Sequence, residues 1–163
     1  MSLSGAHTPQ AGTNLVQGSI QAVTIISSGM FTGVMLFIGN SLGGYWQSLG
    51  AQQFLTWFAT NNAFIQDTIP LVALPTLLGS FLCTFVFRRQ PSRRWWLLAT
   101  LCWISVAVLT FVFFVPTNSA FASRTVPAAD VTATLALWLQ LHWIRIILGI
   151  TGTASAYLAV TRA

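Results

Sequence analysis

Four apolar runs, each near the length of a bilayer's hydrocarbon core, constrain this chain more than any other feature. They cover about residues 20–42, 69–87, 95–115 and 133–160, against the roughly 20 residues that a helix needs to cross a membrane. Runs of that length in lipid must satisfy their own backbone groups, which a helix does and an open strand does not. The composition agrees, because only 6% of the residues are charged whereas a soluble domain carries roughly 25%. The expected fold is an all-α integral membrane four-helix bundle. One domain, residues 20–163, follows a polar flexible tail over residues 1–19, and a short interfacial helix joins spans one and two.

Charge is unevenly placed. Four of the arginines (Arg88, Arg89, Arg93 and Arg94) share the short connection between the second and third runs. The positive-inside rule makes residues 88–94 a cytoplasmic loop, and four spans then place the N- and C-termini in the cytoplasm as well. The net charge of +5 therefore implies contact with the lipid bilayer and its anionic headgroups rather than with nucleic acid. Cys83 and Cys102 lie in apolar runs without a CxxC pair or Cys/His ligand spacing, so no metal motif follows from them.

Local signals set the expected boundaries. Aromatic residues from Tyr45 to Phe64 suggest an interfacial helix over about residues 49–60, with a turn at Asn61-Asn62. Pro116 is expected to end the third span, with Asn118 satisfying freed backbone groups. Gly29 with Gly33, and Gly39 with Gly43, form two GxxxG pairs that allow close helix approach. Asn40 reads either as a terminal cap or as a polar group of a site.

The last run holds the least affordable residues. Trp138, His142, Arg145, Gly149 and Gly152 follow at spacings of three or four and share one helical stripe. Arg145 lies about 18 Å along the helix from Ala133 at 1.5 Å per residue, and an arginine at a span centre costs about 2.5–3.5 kcal/mol on insertion scales. Asn40, Asn61, Asn62, Asp67 and Asn118 are expected in the same half of the bundle. One reading is structural: Asp67 forms an ion pair with Arg145, or backbone carbonyls neutralise it, and the bundle is locked. The other is chemical. A neutral imidazole, a fixed cation, amides and aromatic walls suit removal of a proton from an acidic carbon or phenol and stabilisation of the anion. The ligand would be a flat lipophilic small molecule, because Trp138, Trp143, Trp46 and Trp57 offer stacking surface. No GxSxG or phosphate-cradling glycine loop supports another chemistry. Haem or a metal on His142 stays an alternative, as does a non-catalytic accessory subunit. In that case Gly149, Gly152 and Ala156 would dock a partner membrane subunit or a second copy in a homo-oligomer.

Pro116-Thr117-Asn118 followed by Trp138, His142 and Arg145 at this spacing resembles the anthrone oxygenase family of small four-span membrane proteins. The stretch Gly33 to Gly44 and the Asn61-Asn62 pair fit the same layout more loosely, and the resemblance covers about residues 20–160. It implies a monooxygenase that converts an anthrone to an anthraquinone with O₂, without metal or flavin. His142 would then take the proton, Arg145 and Asn118 would hold the enolate, and Trp138 would wall the ring system. Asn40, Asn61 and Asn62 would lie beside the substrate.

Overall fold

The computed structural model describes residues 9–162. Its elements are α1 (Pro9–Phe37), α2 (Gly43–Ser48), α3 (Ala51–Val86), α4 (Arg93–Leu109), α5 (Val115–Ala122) and α6 (Val131–Thr161). A π-helical turn, Ile38–Leu42, joins α1 to α2, and a second, Thr110–Phe114, joins α4 to α5. Four continuous helical stretches result among the described residues: Asn14–Ser48, Ala51–Val86, Arg93–Ala122 and Val131–Thr161, each long and apolar enough to cross a membrane. The chain is a multi-pass membrane protein.

Three boundaries differ from the sequence expectation. Residues 9–19, expected in the flexible tail, are helical; Pro9 suits a first helical turn, and nothing after it forces a break. Residues 1–8 of that tail lie outside the described residues. The expected interfacial helix and the Asn61-Asn62 turn are both absorbed into the 36-residue α3. Asn61 turns its side chain onto its own helix, Nδ2 donating to the Trp57 carbonyl at 2.8 Å, so the amide caps no turn. The break falls earlier, at Leu49 and Gly50, whose extended backbone starts α3; there Gln53 Oε1 accepts from the Gly50 N–H at 3.2 Å.

The third difference is at Pro116, which does not end its span. The π turn just before it widens the helix, and a proline directly after such a turn sits where its ring can be accommodated. The helix continues to Ala122. It stops where the Thr125 N–H bonds the Ala120 carbonyl and the Arg124 N–H bonds the Phe121 carbonyl, with Arg124 left-handed at φ 57°.

The helices close into a ring in the order α1, α3, α4, α6, each packed on its two neighbours. Small residues set the closest approaches. A Cβ at Gly43 would lie 2.6 Å from Leu139 Cδ2, and one at Gly39 would lie 2.9 Å from His142 Cδ2. The second GxxxG pair therefore brings the π turn against α6, whereas Gly29 and Gly33 face open space. Gly149, Gly152 and Ala156 are buried inside the bundle, the two glycines against Met35, Thr32, Cys102 and Trp103, and do not form a free docking face. Hydroxyl pairs such as Thr84 with Thr100 (2.9 Å) and Thr32 with Thr153 (3.1 Å) link neighbouring helices.

The core divides along the bundle. Cys83, Phe87, Trp96, Ala99, Ala156 and Ala159 pack at the end carrying the arginine connection. Phe31, Met35, Val72, Trp103, Val106 and Ile146 fill the middle. Trp46, Phe54, Phe58, Phe114, Phe121 and Trp138 form an aromatic cluster toward the other end. His142 and Arg145 lie where the middle meets this cluster.

Candidate active site

His142 is buried, and its Nε2 lies 2.8 Å from the Met35 carbonyl. A carbonyl only accepts, so Nε2 carries the proton and the lone pair belongs to Nδ1, which is buried without a partner. The ring is fixed on both sides. It stacks on Trp138 with centroids 4.8 Å apart and planes 11° apart, and Phe114 meets it edge-on at 5.9 Å. Gly39 makes the arrangement possible, because any side chain there would occupy the space of the ring.

One turn on, Arg145 is 5% exposed. Its guanidinium lies 4.1 Å from the Phe114 ring centroid, a cation–π contact. Its Nε has no hydrogen-bond partner among the described residues. In the structural reading Asp67 neutralises it, but Asp67 is exposed on α3 and absent from the cavity wall, as is Asp130. Among the described residues no ion pair holds this cation. Phe114 belongs to the π turn, so the irregular backbone is what presents an aromatic face to the guanidinium.

Asn118 comes from α5. Its Oδ1 accepts from Trp138 Nε1 at 2.8 Å, which fixes the amide and leaves Nδ2 as a donor. His142, Arg145, Asn118, Trp138 and Asn62 line one cavity of about 60 Å³, with Trp46, Phe58, Ile65, Gln66, Thr110 and Phe114 among the other walls. Three buried polar atoms without partners belong to residues of this wall: Trp46 Nε1, His142 Nδ1 and Arg145 Nε.

The expected site residues therefore divide. His142, Arg145, Asn118, Trp138 and Asn62 come together, whereas Asn40, Asn61 and Asp67 do not line the cavity. Asn40 sits exposed on the first π turn and Asn61 bonds its own helix. Trp143 is 44% exposed on the outer face of α6, and Trp57 packs on Trp46 and Tyr45 instead of lining the cavity. Trp138 offers less open wall than expected, because His142 covers one face and Trp46 and Phe114 abut it. Phe114, Gln66 and Thr110 were not anticipated. Phe114 had one usable signal, its place four residues before Asn118 on the same span.

The model of the anthrone oxygenase family matches residues 54–155. The chain belongs to that family. No curated protein and no solved structure matches it. For this anthrone oxygenase family member, the matched segment holds Asn62, Phe114, Asn118, Trp138, His142 and Arg145. It leaves out the first span, which supplies Gly39, the Met35 carbonyl and Trp46. The part of the site that fixes the imidazole tautomer thus comes from outside the matched region.

Proposed function

We propose that the protein is a membrane-embedded oxygenase that oxidises a flat, lipophilic anthrone- or phenol-like molecule with O₂ and needs no cofactor. One observation carries this reading. A buried guanidinium without a carboxylate partner among the described residues shares a cavity with a histidine whose Nδ1 is free. An uncompensated buried cation costs several kcal/mol, and an anion formed in the cavity offsets that cost at the moment it forms.

In this reading His142 Nδ1 takes a proton from the acidic CH₂ of the substrate. Negative charge moves to the carbonyl oxygen, where Arg145 and the Asn118 amide hold it. The carbanion is itself the reductant. It passes one electron to O₂ and the two radicals join as a C–O bond, giving a peroxide that His142 can protonate. Loss of the second hydrogen from that carbon with cleavage of the O–O bond leaves a ketone and releases water. Each turnover puts one oxygen atom into the product and one into water. In the same reading the arginine connection faces the cytoplasm and the site lies in the opposite half of the membrane.

The test is O₂ uptake and quinone formation from anthrone by the purified protein in lipid nanodiscs, against a protein-free blank for spontaneous oxidation. Removing a positioned base costs about 10²–10⁴-fold and removing an oxyanion donor about 10²–10³-fold. His142→Ala and Arg145→Ala are expected to fall in those ranges while still folding. Turnover by His142→Ala equal to wild type would remove the assignment of the base.

A further inference from the structure

The cavity at His142 is too small for the substrate proposed for it. About 60 Å³ gives room for roughly two waters, and a three-ring ketone has several times as many heavy atoms. The remaining volume lies next door. A groove of about 250 Å³ runs between α3 and the α4–α5 span, and four residues, Gln66, Ile69, Thr110 and Val115, line both spaces.

The groove is apolar and faces lipid. Leu74, Phe111 and Val115 on its walls are 57%, 74% and 45% exposed. Its floor includes Phe31 and Trp103, buried rings that stack on each other at 5.3 Å with planes 16° apart. Both walls are also irregular. Pro70 has no N–H for the Gln66 carbonyl four residues before it, and the facing wall contains the π turn Thr110–Phe114. Non-helical backbone at membrane depth is tolerated where it lines a cavity, and a helix lacking regular bonds bends more readily than an intact one.

We infer that this groove is the binding subsite for the apolar ring body of the substrate and its route in from the bilayer. The reacting end passes between Gln66 and Ile69 on one side and Thr110 and Val115 on the other to reach His142. The occupant is a planar lipophilic molecule, as the reading above requires, and the inference rests on that reading for the substrate's identity.

Access can be measured without turnover. Asn118→Cys places a thiol on the cavity wall, and the wild-type protein, whose Cys83 and Cys102 are buried, serves as the blank. In nanodiscs, a long-chain alkyl methanethiosulfonate confined to the bilayer is expected to modify this thiol. A permanently charged trimethylammonium methanethiosulfonate should do so at least tenfold more slowly. Adding Val115→Trp or Ile69→Trp should slow the alkyl reagent at least tenfold. Ile69→Ala should speed it, and Leu78→Trp, lipid-facing on the same helix, should leave it unchanged. Equal rates for the two reagents, or no effect of the tryptophans in folded protein, would overturn the inference by placing access on the water side. Labelling needs no catalysis. An open groove without anthrone oxidation would count against the enzymatic reading alone, and oxidation with a closed groove would count against the route alone.

Discussion

Gly39→Ala tests how tightly the first span fixes the imidazole. A methyl group there would lie 2.8 Å from Ile146 Cδ1 and 2.9 Å from His142 Cδ2, against an ordinary carbon–carbon contact of about 3.7 Å. Ile146 Cδ1 is the tip of a flexible chain and can turn aside. The imidazole cannot, because Nε2 is bonded to the Met35 carbonyl at 2.8 Å and the ring is stacked on Trp138 at 4.8 Å. The ring must therefore move by about 0.8 Å. Such overpacking costs about 1–3 kcal/mol, and a base misplaced by about 1 Å loses roughly 10²-fold in rate. Gly33→Ala is the matched control. Its methyl group would meet nothing within 4 Å, so only the helix preference for alanine acts, favouring the fold by up to about 1 kcal/mol. Reversible unfolding in mixed detergent micelles measures the first quantity and anthrone turnover the second. A Gly39→Ala protein with wild-type midpoint and wild-type turnover would refute the reasoning.

Asp67→Asn should change stability by less than about 0.5 kcal/mol, as for an exposed position, and leave turnover intact; a large loss in either would restore the ion pair with Arg145. Phe114→Leu removes the ring beneath the guanidinium, a contact of about 2 kcal/mol when desolvated. The contact is already made in the free protein, so its loss is expected in stability, read as a lowered unfolding midpoint in mixed detergent micelles. Trp138→Phe deletes the hydrogen bond to Asn118, worth about 0.5–1.5 kcal/mol, and should lower turnover less than His142→Ala does. Arg124→Gly relieves a left-handed backbone that costs other residues about 1–2 kcal/mol. It should raise the unfolding midpoint without touching activity.

The span count and the central stripe were legible because each depends on local pattern. Val131–Thr161 falls close to the expected fourth span, and Trp138, His142 and Arg145 share one face as their spacing requires. What could not be read was anything set by packing between helices. Asn61-Asn62 looks like a turn in isolation, yet within α3 the Asn61 amide finds its own helix at Trp57 and the helix runs on. Pro116 looks like a stop, yet the preceding π turn makes room for it. An ion pair of Asp67 with Arg145 is one reading of a sequence with only two acidic residues; the phase of α3 puts Asp67 outside and Asn62 inside. No residue code announces a π turn, so Phe114 could not be placed over the guanidinium from the sequence alone.

The backbone irregularities are not scattered. The turn Ile38–Leu42 abuts His142 through Gly39, and the turn Thr110–Phe114 carries the ring beneath Arg145. Pro70 and Pro116 flank the groove that opens onto the same cavity, with Pro70 on its wall. Each departure costs hydrogen-bond geometry that lipid cannot make good. A bundle selected only for stability would place its departures no more often here than at the arginine end, where α3, α4 and α6 are regular apart from Pro75. Departures from local rules gather where a site needs a shape that regular helices do not offer. Two regular helices meeting at α6 would present side chains across the space that His142 and Arg145 now share. The π turns shift the register by one residue, which brings Gly39 against the imidazole and Phe114 to the cavity wall. On this argument, the first span is as much a part of the site as the helix that bears the histidine.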